Sequence, residues 1–132
     1  MTNTLLRTLD ANLNRLREGI RVVEDILRYT YNDKTNSAKL KNLRHKIKPK
    51  NYIDLLEQRD SANDVLRPST NSELKREDIV SIIIANFKRA QESSRVLEEI
   101  YKLEDIGQSE NFKNIRYELY VIEKEVLLTF AK

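Results

Sequence analysis

Residues 11–29 read ANLNRLREGIRVVEDILRY, and residues 85–103 read ANFKRAQESSRVLEEIYKL, so the two stretches align without a gap at an offset of 74 residues. Around both stretches, apolar or small residues recur in alternating steps of four and three, a spacing that keeps them on one side of an α-helix. The first such seam consists of Leu9, Leu13, Leu16, Ile20, Val23 and Leu27. The second consists of Ile83, Phe87, Ala90, Ser94, Leu97 and Tyr101. Each stretch is therefore predicted to form the centre of a long helix with one buried face.

The repeat extends beyond these two helices. KNLR at residues 41–44 matches KNIR at residues 113–116 once two residues are gapped. The sequence therefore predicts an all-α fold, in which a duplicated helical hairpin forms a bundle with pseudo-twofold symmetry. A single domain over residues 1–132 would consist of repeat A at about 4–50, a linker loop at about 58–74 and repeat B at about 75–132.

Helix boundaries follow from the periodicity and from capping residues. The first helix is predicted at about 4–31 and the fourth at about 74–104, which would make these two the longest. A shorter helix is expected to begin with Asn36 or Ser37 as N-cap and to end before Pro49. Residues 51–57 could add one or two turns, and a last helix is expected from Ser109 to Phe130 after a turn containing Gly107.

Composition narrows the function classes. The 132 residues include two glycines, two prolines, one histidine and no cysteine, which favours long helices and excludes disulfide frameworks, thiolate zinc sites and multi-histidine metal centres. A metal would have to be held by carboxylates and phosphates, as suits Mg²⁺. No apolar run is long enough to span a membrane and no secretory signal is apparent, so we expect a cytoplasmic protein.

Several polar residues are identical in both repeats, and two explanations remain open for them. The identical polar pairs are Asn12 with Asn86, Arg15 with Arg89, Glu18 with Glu92, Arg21 with Arg95, and Glu24 with Glu98. They could be ordinary helix-surface ion pairs. Alternatively, because solvation alone does not require the same residue types at the same places, they could support a site or a specific network between helices.

Two further segments carry charge. The loop around residues 57–75 contains Arg59, Asp60 and Asp64, which are sufficient to hold a phosphate and a magnesium ion, although composition alone favours a flexible connector between the hairpins. Residues 39–50, KLKNLRHKIKPK, are basic but lack interleaved aromatic residues, so a solvated face is favoured over a nucleic-acid contact.

Taken together, the motifs resemble a known family. The pattern ANxxRxxExxRVxE occurs twice, each copy is followed by KxxR, and the QRDSAND loop lies at residues 58–64 between them. This arrangement resembles the helical domain fused ahead of thiamine phosphate synthase in some bacteria, a proposed hydroxymethylpyrimidine phosphate kinase. One departure is Leu66, where the family pattern has a glycine that would allow positive φ.

The resemblance implies transfer of the γ-phosphoryl group of ATP, with Mg²⁺, to 4-amino-5-hydroxymethyl-2-methylpyrimidine phosphate. The residues expected to be catalytic are Arg59, Asp60 and Asp64. Those expected to bind substrate are Asn12 and Asn86 at the pyrimidine edge and Arg15, Arg44, Arg89 and Arg116 at phosphates. Those expected to bind the metal are Glu24, Glu98, Asp60 and Asp64.

The alternative is a non-catalytic domain that oligomerises or senses a ligand in association with thiamine phosphate synthase. Apolar residues off the seams would then form an interface, namely Val22, Ile26, Val96 and Ile100. The expected partners are small-molecule phosphates (ATP and the pyrimidine phosphate) and thiamine phosphate synthase, with a homo-oligomer as a further arrangement. Neither a membrane nor nucleic acid is expected as a partner.

Overall fold

The computed structural model describes residues 1–131, and within them the chain folds into α-helices without any strand. The helices are α1 (Asn3–Asp25), α2 (Lys34–His45), α3 (Tyr52–Glu57), α4 (Ile79–Tyr101) and α5 (Ile106–Ala131). A π-helical segment, Ile26–Thr30, extends α1. The all-α prediction is confirmed, whereas the pseudo-twofold relation stays a prediction. Lys132, the last residue of the predicted domain, lies outside the described residues.

Both predicted seams are buried. Every seam residue from Leu9 to Leu27 and from Ile83 to Tyr101 lies in the interior of the bundle. Helix α1 packs against α4 and α2, while α5 packs against α4 and α2, so the four long helices enclose one core. At the α1–α4 contact Gly19 lies so close to α4 that an added Cβ would be 3.0 Å from the backbone oxygen of Asn86.

Several predicted boundaries are wrong because local capping chemistry decides them. The N-cap of α2 is Asp33, whose carboxylate accepts the backbone N–H of Asn36 at 3.0 Å, and not Asn36 or Ser37. Helix α4 begins at Ile79 rather than at about 74, because the Asp78 carboxylate accepts the N–H of Ser81 at 2.8 Å. The irregular segment between the repeats is therefore longer than predicted.

The last helix also differs from the prediction. It begins at Ile106, so Gly107 lies in its first turn, and the Asp105 carboxylate accepts the N–H of Gln108 at 3.0 Å. With 26 residues α5 is longer than α4, which has 23, so α1 and α4 are not the two longest helices. None of the helices in the described part of the chain is both long and apolar enough to cross a lipid bilayer.

Candidate functional site

The repeated glutamate and the repeated KxxR arginine form a buried ion pair in each hairpin. Arg44 donates two hydrogen bonds to Glu24, at 2.7 and 3.1 Å, and Arg116 donates two to Glu98, at 3.1 and 3.0 Å. Both glutamates lie in the interior. The hydrogen bond to Glu24 raises the pKa of Arg44 above its ordinary value. These two pairs connect α1 to α2 and α4 to α5.

This placement separates four predicted site residues from the others. Glu24, Glu98, Arg44 and Arg116 are paired with one another within the hairpins, whereas the side chains of Asp60 and Asp64 accept hydrogen bonds from residues of the loop. In residues 1–131 no three side chains among the acidic residues and the histidine lie close enough to hold a metal ion by themselves. The expected four-carboxylate magnesium set is thus not assembled, because each helix glutamate faces an arginine of its own hairpin.

A cleft of about 570 Å³ gathers most of the remaining predicted residues. It lies beside the first half of α1, under the loop that follows α3, and is bordered by one residue of α4. The predicted site residues that line it are Asn12, Arg15, Arg59, Asp60, Asp64 and Arg89. Arg15 and Arg89 are counterparts in the two repeats, so the duplicated arginine contributes twice to one cleft.

Two contacts hold the loop against α1. Arg59 donates to both carboxylate oxygens of Asp10, at 2.8 and 2.9 Å, and the Asp10 side chain is only 7% exposed. Arg7 donates to the backbone oxygen of Asp60 at 2.8 Å. The hydrogen bond to Asp10 raises the pKa of Arg59 further above its ordinary value. The loop is therefore anchored in place and is not a free connector at this end.

The loop carboxylates of Asp60 and Asp64 accept hydrogen bonds within the loop and stay at least partly accessible. Asn63 donates its side-chain amide to both oxygens of Asp60, at 3.0 and 2.9 Å, and this lowers the pKa of Asp60. Asp64 accepts the backbone N–H of Leu66 at 3.0 Å. Within the described residues Asn32 is the non-glycine residue with positive φ, so Leu66 adopts an ordinary backbone conformation where the family pattern has glycine.

The charges in the cleft are mixed. Arg15 and Arg89 form no ion pair within residues 1–131, and both are exposed to solvent. Alongside them, Glu18, Asp60 and Asp64 add negative charge to the same walls. A bare phosphate would be attracted by the guanidinium groups and repelled by the carboxylates, whereas a complex of a divalent cation with phosphates presents charge of both signs. The arrangement fits the second kind of ligand better.

The duplicated asparagines differ in what they face. Each donates its side-chain amide to the helix carbonyl four residues earlier, Asn12 to Thr8 and Asn86 to Ile82, both at 2.9 Å. Asn12 lines the cleft, and Asn86 is not among the residues that do. The expectation that both would meet one ligand therefore lacks support from the geometry, because only one of the pair has the loop opposite it.

The basic stretch at residues 39–50 is partly neutralised by α5. Lys39 lies 2.9 Å from Glu125, and Lys46 lies 3.7 Å from Glu118. Since Arg44 is committed to Glu24, three of the cations in this stretch have acidic partners. This pairing agrees with the prediction of a solvated face.

A family model matches the chain over residues 7–125, which is most of its length, and its description is the ThiD2 family. The chain belongs to the ThiD2 family. This assignment agrees with the resemblance found from the duplicated ANxxRxxExxRVxE pattern. The match runs from residue 7 in α1 to residue 125 in α5 and includes α2, α3, the whole loop and α4.

Curated relatives of this ThiD2 chain are thiamine-phosphate synthases. The protein from Synechocystis sp. is 39% identical over 124 residues, which are 93% of this chain and 36% of the relative. The protein from Rhodopirellula baltica is 37% identical over 140 residues, covering 99% of this chain and 37% of the relative. The chain thus spans about a third of the length of the curated relatives it matches. No solved structure matches it.

Two residues important to the cleft of this ThiD2 chain were missed by sequence reasoning. Asp10 holds Arg59 and Arg7 holds the loop backbone, yet neither belongs to the duplicated set. The residue of repeat B at the offset of 74 from Asp10 is Ile84. The available signal was the position of Asp10 directly beside Leu9, on the edge of the buried seam. Because an unpaired buried charge is costly, an acidic residue there predicts a basic partner.

Proposed function

We propose that the chain acts in thiamine biosynthesis as a kinase that transfers the γ-phosphoryl group of ATP to 4-amino-5-hydroxymethyl-2-methylpyrimidine phosphate. The observation that carries this proposal is the cleft in which Arg15, Arg89 and Arg59 lie together with Asp60 and Asp64. The names of the relatives support the pathway, since each is a thiamine-phosphate synthase. The kinase step itself rests on the chemistry of the cleft.

The reaction requires charge neutralisation and alignment more than acid–base chemistry. An oxygen of the acceptor phosphate forms a bond to the γ-phosphorus while the bond from that phosphorus to the β,γ-bridging oxygen breaks, giving the pyrimidine diphosphate and ADP. The attacking phosphate oxygen is already largely ionised near neutral pH, because the second pKa of a phosphate monoester is about 6. A general base is therefore unnecessary.

Each cleft residue has a distinct role in this proposal. Arg15 and Arg89, which have no acidic partner among the described residues, hold the phosphates of the two anionic substrates and offset their repulsion. Arg59 lies next to them, fixed by Asp10. Asp60 and Asp64 provide the hard oxygen donors that suit Mg²⁺ shared with substrate phosphates. When bound, the cation would neutralise charge on the transferring group.

Incubation of the pure chain with ATP, Mg²⁺ and the pyrimidine phosphate tests the proposal. We expect stoichiometric formation of the diphosphate and ADP, with no ADP formed when the acceptor is omitted. A matched reaction with Arg15→Ala measures the dependence on the cleft, and Arg21→Ala, an exposed α1 arginine paired with Asp25 at 3.2 Å, is the control. Absence of the diphosphate with the folded wild-type chain would refute the kinase.

The second candidate is an assembly domain, and one surface favours it. Three apolar or aromatic residues on the outer side of α5, Tyr117, Val121 and Leu128, are each at least half exposed. The interface anticipated from the sequence is less suitable, since Ile26 and Ile100 pack against the core. A stable dimer in solution, combined with a failure to make the diphosphate, would favour this candidate over the kinase.

A further inference from the structure

The orientation of the Asn12 side chain is fixed by the helix that carries it. Its Nδ2 donates to the Thr8 carbonyl at 2.9 Å, and the residue is 6% exposed. Rotating the amide by half a turn would place its Oδ1 against that carbonyl oxygen, two acceptors in contact. The hydrogen-bond network therefore assigns the oxygen to the other side.

The Asn12 oxygen has access to the cleft. Among the described residues it accepts no hydrogen bond. It is also not one of the unpaired side-chain oxygens that are fully enclosed, which belong to Asp25, Asn36 and Glu123, so it remains accessible. Asn12 lines the cleft, and because its oxygen is neither enclosed nor hydrogen-bonded, the cleft is the space from which a ligand can reach it. The cleft thus contains an amide oxygen that accepts hydrogen bonds only, because the bond from Nδ2 to Thr8 keeps the amide nitrogen, with its one remaining N–H, on the other side.

The surroundings of Asn12 restrict the ligand further. Arg15 lies one helical turn along α1, on the same cleft, and Arg89 faces it from α4. A ligand whose phosphate meets these guanidinium groups can place a neighbouring group against Asn12. To satisfy the Asn12 oxygen that group must donate a hydrogen bond, and a carbonyl at the same place would leave two acceptors facing each other.

We propose that Asn12 accepts a hydrogen bond from the exocyclic amino group of a phosphorylated N-heterocycle, and so discriminates amino-substituted from oxo-substituted rings. The inference rests on the proposed phosphate site, because the arginines determine where the ring lies. Two ligands of the proposed reaction have this chemistry, the aminopyrimidine phosphate and the adenine of ATP. Asn86 makes the same helix contact outside the cleft and has no such role.

Binding measurements separate the two sources. In one arm, calorimetry compares 4-amino-5-hydroxymethyl-2-methylpyrimidine phosphate with its 4-oxo analogue. In the other, it compares ATP with inosine triphosphate, its 6-oxo counterpart, both with Mg²⁺. We expect the amino compound to bind on the order of 10- to 100-fold more tightly in the arm whose ring meets Asn12. Comparable affinities in both arms would overturn the inference without any variant being needed.

Matched variants then assign the preference to this residue. Asn12→Ala is expected to reduce the amino preference to about twofold or less while leaving the affinity for Mg²⁺–pyrophosphate unchanged, and Asn86→Ala should retain the full preference. A preference that persists in folded Asn12→Ala would refute the assignment. The outcome is independent of turnover: an amino preference without diphosphate formation would refute the kinase alone, and diphosphate formation without any preference would refute only this inference.

Discussion

The two hairpins carry the same polar residues, yet within residues 1–131 the cleft under the loop is lined mainly by the first hairpin, with Arg89 contributed by the second. In both, a buried glutamate pairs with the KxxR arginine of the following helix. Only repeat A adds Asp10, which fixes Arg59 and with it the loop, whereas repeat B has Ile84 at the corresponding position. The repeated residues thus account for the ion pair inside each hairpin, and two unrepeated residues of repeat A, Asp10 and Arg7, anchor the loop.

The repeated residues fall into groups with different roles. Glu24 and Glu98 are repeated because each hairpin needs the same internal ion pair, while Arg15 and Arg89 are repeated and both reach the same cleft. Asn12 and Asn86 each donate a hydrogen bond to the helix carbonyl four residues earlier, but of the two Asn12 lines the cleft and Asn86 does not. Identical residues therefore make the same contacts within each hairpin in these cases, and whether a residue also faces the cleft depends on the loop.

The largest effect on stability is expected for Arg44→Ala. Glu24 has a side chain that is 1% exposed, and loss of Arg44 leaves its carboxylate buried without a partner. We expect the free energy of unfolding, measured by chemical denaturation, to fall by about 3 kcal/mol. Arg116→Ala should cost less, because Arg95 lies 3.8 Å from Glu98 and remains to offset the charge.

A double replacement checks the cause of that loss. Changing Glu24→Leu together with Arg44→Leu removes the buried charge as well as its partner, so it should recover much of the stability lost in Arg44→Ala. A double variant less stable than the single one would contradict the explanation by an unpaired carboxylate.

The second effect concerns the contact that repeat B lacks. Arg59→Ala removes the hydrogen bonds to both oxygens of Asp10, and we expect a loss of about 1 to 2 kcal/mol in the free energy of unfolding. The loss is smaller than for Arg44 because Arg59 is itself 34% exposed and its ion pair is partly screened. If Arg59→Ala proved as stable as the wild type, Asp10 would not be the anchor of the loop.

Asp60→Asn should have little effect on stability and a large one on turnover. Its carboxylate lies on the loop and supports little of the fold, so the midpoint of chemical denaturation should stay at the wild-type value within the error of the measurement. As a proposed donor to Mg²⁺ it should lower turnover by about tenfold or more. Lys50→Ala, an exposed change outside the cleft, should be silent in both assays, and equal losses of activity and stability in Asp60→Asn would make Asp60 part of the scaffold.

The smallest effect is the pH dependence of Asp60. Because the hydrogen bonds from Asn63 lower its pKa in the folded chain below the ordinary 3.8, its contribution to stability is present above pH 3.8 and is lost as the pH falls through the lowered value. Plotted against pH, the free energies of unfolding of the wild type and Asp60→Asn should run parallel above pH 5 and converge in acid. A difference in the free energy of unfolding that grows as the pH falls would contradict a lowered pKa of Asp60 in the folded chain.

How much of this was predictable from the sequence depends on the range of the interaction. The seams and the repeated residues follow from local periodicity, so every seam residue is buried as expected. The pairing of Asp10 with Arg59 spans 49 residues, and the hydrogen bond from Arg7 to Asp60 spans 53. Helical periodicity relates only residues a few positions apart, so it does not predict contacts over such distances in sequence. These partners meet only once the chain has folded.

One cleft is proposed as the site, with the repeated Arg15 and Arg89 lining it and the repeated Arg21 and Arg95 in exposed ion pairs on the helix surface. The direct test is kcat/KM for diphosphate formation in two pairs of repeat counterparts, Arg15→Ala with Arg89→Ala, and Arg21→Ala with Arg95→Ala. We expect the first pair to lose about tenfold or more each, since each removes a charge-assisted contact to phosphate, and the second pair to remain within about twofold of the wild type. Equal effects in the two pairs, or losses confined to Arg21 and Arg95, would contradict the account.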